Sequence, residues 1–159
     1  MRMRDEMGES YASEFIWNVV ANTDSAKIAT LDAEYNVDSQ GSMYVYQVRD
    51  ALNKYNTGNQ TYIYKQGSSM TLAGFEEAIA NSLTYCKPVV LHARTEYLSY
   101  YGGKKSGHYI SVDYINRTTD KVRLVDCNYN ASYYGVHSNV SLSEAYNCIS
   151  AVSGRYLIY

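Results

Sequence analysis

The stretch "HYISVDYINRTTDKVRLVDC", residues 108–127, constrains this chain more than any other. Apolar and polar residues alternate on both sides of the polar run "NRTTD", the period of two strands that each bury one face, joined by a turn. Two such strands cannot stand alone in water, so they require further strands or helices to cover the apolar face. If Tyr114 pairs with Asp120, partners sum to 234 and His108 stands directly opposite Asp126. Ile110, Val112, Val122 and Leu124 then share that face as its core side. Direct cross-strand neighbours have Cβ atoms ~4.5–5.5 Å apart. A slip of two residues keeps the face and makes the pair diagonal, whereas a slip of one separates the two side chains.

The rest of the chain supplies the cover. "SYASEFIWNVVA" (10–21) repeats apolar residues at helical spacing behind Ser10 as N-cap, and "DSAKIATLDAEY" reads as a second, shorter helix. "MYVYQVRDALNKY" places Val45, Val48, Leu52 and Tyr55 on one stripe. "TYIYKQ" is a short strand. "MTLAGFEEAIANSLTY" is an amphipathic helix with Leu72, Phe75, Ile79 and Leu83 inward and Glu76 and Glu77 outward. After Pro88, the single proline, "PVVLHAR" and the terminal "GRYLIY" read as strands beside the hairpin. "SLSEAYNCIS" is a short helix with Ser141 and Glu144 at capping-box spacing, and "GVHSNV" is a loop. No internal repeat or long linker divides the 159 residues, so 1–159 is expected to be one α+β domain of two layers, N-terminal helices packed on a C-terminal antiparallel sheet.

Composition narrows the partners. A net charge of -2 provides no electrostatic footprint for nucleic acid. No apolar run approaches the ~20 residues needed to span a bilayer, so no membrane insertion is expected. The 19 tyrosines supply large apolar area with polar tips, suited to lining a cleft. No cofactor or metal is implied, since Cys86, Cys127 and Cys148 lack metal-ligand spacing. All three cysteines read as structural, as do His92 and His137. His108 and Asp126 differ because an imidazole beside a carboxylate is a base with its tautomer held.

The segments "VRDALNKY", "CKPVVLHA", "GHYISVDY", "VRLVDC" and "GRYLIY" in this order resemble the C39-like branch of the papain-type cysteine peptidases, over about residues 20–159. The resemblance implies a papain-like fold and attack of a thiolate on a peptide carbonyl. It makes His108 the base and Asp126 its orienter, with a peptide or protein as substrate, a monomer, and a secreted bacterial hydrolase. The family's nucleophilic cysteine opens the central helix, where this chain reads "DEMGESYASEFIWN". Met7 therefore takes the nucleophile position, and no glutamine precedes it for an oxyanion hole. A thioether has no proton for His108 to remove. The domain is thus expected to be inactive or truncated as it stands, with a signal peptide upstream if it is exported. Ser10 is a weaker candidate nucleophile. A non-catalytic peptide- or polymer-binding module on the same fold, and a transglutaminase-like transferase, are the competing readings.

Overall fold

The computed structural model describes residues 43–56, 60–126, 133 and 135–159. The two helices expected before residue 43, together with Met7, Ser10 and Cys127, lie outside the described residues. Within them the chain is α+β. Three helices, α1 (Val45–Tyr55), α2 (Leu72–Thr84) and α3 (Leu142–Ser150), accompany six strands: β1 (Tyr64–Gln66), β2 (Val89–Arg94), β3 (Gly107–Asn116), β4 (Lys121–Asp126), β5 (Gly135–Ser141) and β6 (Tyr156–Ile158). The strands form one sheet in the order β1-β6-β2-β3-β4-β5, and every neighbouring pair is antiparallel.

Helices cover both faces of this sheet, so the described part has three layers rather than the two expected. Strand alternation is the reason. Val89, Leu91 and Leu157 point into the larger core with Phe75, Ile79, Leu83 and Ile149 of α2 and α3. Val90 and Ile158, one residue out of phase, point the other way and pack with Val48, Leu52 and Tyr62. Central strands buried on both faces explain why "PVVLHAR" reads as a near-continuous apolar run.

Helix ends follow local chemistry. Thr71 caps α2 by accepting from the Gly74 N–H, and Cys86 in the left-handed region followed by Pro88 prevents its continuation. Leu72, expected inward, is 40% exposed because it begins the first turn, ahead of the buried stripe that starts at Phe75. Ser141 caps α3 as its spacing predicts, accepting from Glu144 N–H at 3.1 Å. The Glu144 carboxylate, however, accepts from Ser99 N–H and ties the helix to the chain beyond β2. Gly67 comes so close to the backbone of α3 that a Cβ there would stand 2.1 Å from the Ile149 oxygen.

Two sequence expectations about the sheet are corrected. "GVHSNV" is part of edge strand β5, not a loop; its apolar residues are too few to announce a strand, and pairing with β4 supplies the order. The β3–β4 register is also not the one predicted. Asn116 pairs with Lys121 and Ile115 with Val122, so the turn is four residues, one fewer than Tyr114–Asp120 pairing requires. Asn116 Oδ1 accepts from Thr118 N–H and Thr119 N–H, and Asp120 takes φ 52, which together tighten the turn. A bulge between Val112 and Tyr114 then shifts the ladder by one, leaving Ser111 opposite Val125. Ile110, Val112, Val122 and Leu124 all remain in the larger core, as their alternation predicts.

The bulge is marked by charge. Asp113 has no exposed surface, and its carboxylate accepts from Arg123 Nε at 2.7 Å. The Arg123 guanidinium lies 5.5 Å from the Tyr114 ring. A buried carboxylate demands such a partner.

Candidate functional site

His108 stands at the start of β3 and Asp126 at the end of β4. Continuing the Ser111–Val125 pairing brings Asp126 level with Ile110, so His108 lies diagonally across from it rather than opposite. The turn and bulge together displace the register by two, which preserves the shared face. The side chains close the remaining gap: His108 Nε2 stands 2.9 Å from Asp126 Oδ1. The imidazole is 23% exposed and the carboxylate 0%, so the pair opens to solvent on the histidine side only.

Sequence reasoning missed the two side chains that complete the carboxylate's environment. Tyr100 and Tyr101 lie in a single turn, Ser99–Tyr101, after β2. Their hydroxyls donate to Asp126 Oδ2 at 3.0 and 2.8 Å. Burial, with the Asp126 charge next, pushes the Tyr100 hydroxyl far above the usual tyrosine range and keeps it protonated as a donor. The rings contact one another in series, stacked at both ends and tilted by 45° between Tyr100 and Tyr101. His137 lies on Tyr100 at 3.7 Å, Tyr100 contacts Tyr101 at 5.0 Å, and Tyr101 lies on Tyr133 at 4.2 Å. His137 Nε2 meets the Tyr133 carbonyl at 3.0 Å. The only sequence signal was the Tyr-Tyr pair itself in "SYYGGKKSGH", which carries no indication of its distant partner.

That loop is anchored at both ends. Gly102 and Gly103 take φ 58 and 81, which turns the chain directly after the tyrosines. The buried Thr95 hydroxyl donates to Lys104 O and accepts from Ser106 N–H, so β2 fixes the approach to His108. The glycine before the histidine has a separate cause. A Cβ on Gly107 would meet Arg155 Nη1 at 2.8 Å, and the arginine crosses there to donate to His92 Nε2 at 2.7 Å.

His92 thus has a partner that the sequence does not reveal, and its role is structural. Its ring is stacked between Tyr109 at 4.7 Å and Tyr156 at 6.2 Å, its cross-strand neighbours. Burial, and then the Arg155 charge, lower its pKa from 6.5 to about 4. The folded protein therefore binds this proton less readily than the unfolded chain, so the stabilisation is complete above pH 6.5 and is lost as pH falls toward 4. The shift corresponds to about 2–3 kcal/mol after allowance for partial exposure. Denaturant unfolding at about pH 7.5 and about pH 4.5, either side of most of that titration, tests this against His92→Gln, which keeps an acceptor for Arg155 but does not titrate. The wild type should lose about 2 kcal/mol more than the variant; equal losses contradict the assignment.

No described cysteine can serve His108. Cys148 is fully buried in α3, where its thiol donates to Ala145 O at 2.9 Å, and burial followed by the Glu144 charge pushes its pKa far up. Cys86 precedes β2 at the end that pairs with Val112, while His108 pairs with Ala93 near the other end. Four residues of strand alone separate these ends by about 13 Å. Among the described residues, no group of three or more His, Cys, Asp or Glu is placed to hold a metal ion, and no helix is long and apolar enough to cross a membrane. No family model matches the chain, and no curated protein matches it.

Proposed function

We propose that this chain is a C39-like, papain-type cysteine peptidase domain in which His108 is the general base and Asp126 its orienter for chemistry on peptide bonds. The observation that carries this reading is the 2.9 Å contact between a part-exposed imidazole and a wholly buried carboxylate. In such chemistry the imidazole takes the proton of a thiol, the thiolate attacks the peptide carbonyl, and the imidazolium returns a proton to the leaving amine. Contact through Nε2 assigns the proton transfer to Nδ1. With methionine at position 7, the machinery lacks its nucleophile.

The test restores that nucleophile. Met7→Cys, with a glutamine introduced upstream, is expected to react with an electrophilic peptide, and His108→Ala in that background should slow labelling by on the order of 10³-fold or more. A folded Met7→Cys protein that remains unlabelled contradicts the peptidase reading.

The positions of Cys86 and Cys148 favour a second reading for the chain as it stands, a non-catalytic module that holds a peptide without cleaving it. Peptide binding by the unaltered chain should then survive His108→Ala.

A further inference from the structure

We propose that Tyr100 and Tyr101 are positioning residues that set the tautomer of His108 by acting through Asp126. The inference rests on the reading of His108 as a base. A buried aspartate beside a neutral histidine has two arrangements, and the second holds one more proton than the first, taken up from solvent by the carboxylate. The carboxylate can be ionised and accept from Nε2–H, or it can be a neutral acid that donates from Oδ1 to an unprotonated Nε2. The second arrangement puts the imidazole proton on Nδ1, the nitrogen that must take the thiol's proton. Burial by itself favours the neutral acid, because it penalises charge.

The two phenols oppose that tendency. Both donate to Oδ2, at 3.0 and 2.8 Å, and donors strengthen as their acceptor gains charge. With Oδ2 saturated, the carboxylate turns Oδ1 toward His108, where Nε2 lies 2.9 Å away. The donors are themselves held. Tyr101 is buried between Tyr100 and Tyr133, and the half-buried Tyr100 is held between Tyr101 and His137, which keeps the hydroxyls converged on Oδ2. The proton consequently stays on Nε2, and Nδ1 carries the basic lone pair.

Phenylalanine keeps each ring and deletes each donor. Long-range ¹H–¹⁵N spectra of protein labelled on histidine nitrogen, recorded for wild type and variants at the same pH, one where His108 is neutral, read the tautomer directly. The wild type should show the proton on Nε2. In Tyr100→Phe/Tyr101→Phe, the ratio of Nε2-protonated to Nδ1-protonated form should fall by on the order of tenfold. His92, whose ring partners are Tyr109 and Tyr156, is the internal control and should not move. An unchanged His108 pattern in the folded double variant overturns the proposal. If the double variant does not fold, the single variants decide: the ratio should fall in each, more for Tyr101→Phe, and no fall in either overturns the proposal equally. Labelling of Met7→Cys separates this result from the peptidase reading. A shifted tautomer with no labelling retains the positioning role and rejects the peptidase; labelling with an unmoved tautomer does the reverse.

Discussion

In the Met7→Cys background, Asp126→Asn is expected to slow labelling by an electrophilic peptide on the order of 10³–10⁴-fold while the fold is retained. The size comes from proton placement rather than from lost bulk. An asparagine amide has one acceptor oxygen and one donor nitrogen. Tyr100 and Tyr101 both donate to the Oδ2 position, so the amide oxygen belongs there and its NH2 group faces His108. Nε2 must then accept, which moves the imidazole proton to Nδ1 and removes the base. The measurement is the second-order labelling rate, with circular dichroism to verify folding. Equal rates with and without the Asp126→Asn change would contradict both the role of Asp126 and the direction of the hydrogen bonds around it.

Arg123→Ala is expected to destabilise the fold by about 3–5 kcal/mol, the range for removing one partner of a buried ion pair. Asp113 is 0% exposed, and the Arg123 guanidinium that faces it at 2.7 Å is itself mostly covered. Without it the buried carboxylate loses a charged hydrogen-bond donor in the β3 bulge. Combining Arg123→Ala with Asp113→Ala should recover part of the loss, because the buried charge is gone; urea unfolding of the three variants measures this coupling. A single-variant cost below about 1 kcal/mol would contradict the account. The bulge matters to the site as well as to stability. It takes back one of the three register positions by which the turn departs from Tyr114–Asp120 pairing, and so returns His108 to the face of Asp126; loosening it should broaden the His108 signals too.

Much of this was legible in the chain. The period-two runs of "HYISVDYI" and "KVRLVDC" identify a hairpin, and their shared parity puts His108 and Asp126 on one face whether partners are directly opposite or displaced by two. Shared parity is robust because a slip of two residues cannot undo it. The helices at 45–55, 72–84 and 142–150 were equally readable from their apolar spacing and from Ser141. The register was not readable, since it depends on how Asn116 folds the turn and on where Arg123 can reach the Asp113 carboxylate. Nor was strand β5, whose order comes from pairing at the sheet edge.

The sequence by itself therefore determined that a histidine and an aspartate would meet on one face of an α+β sheet, because alternation along a strand is a local property of the backbone. Only the tertiary structure decided what surrounds them. Tyr100 and Tyr101 reach Asp126 across 26 and 25 positions of chain, and Arg155 reaches His92 across 63. Such contacts are made by the packing of strands and turns far apart in sequence, and no local pattern encodes them. The glycine before His108 belongs to the same class: Arg155, arriving from the last strand's approach, needs the space that a side chain at 107 would fill.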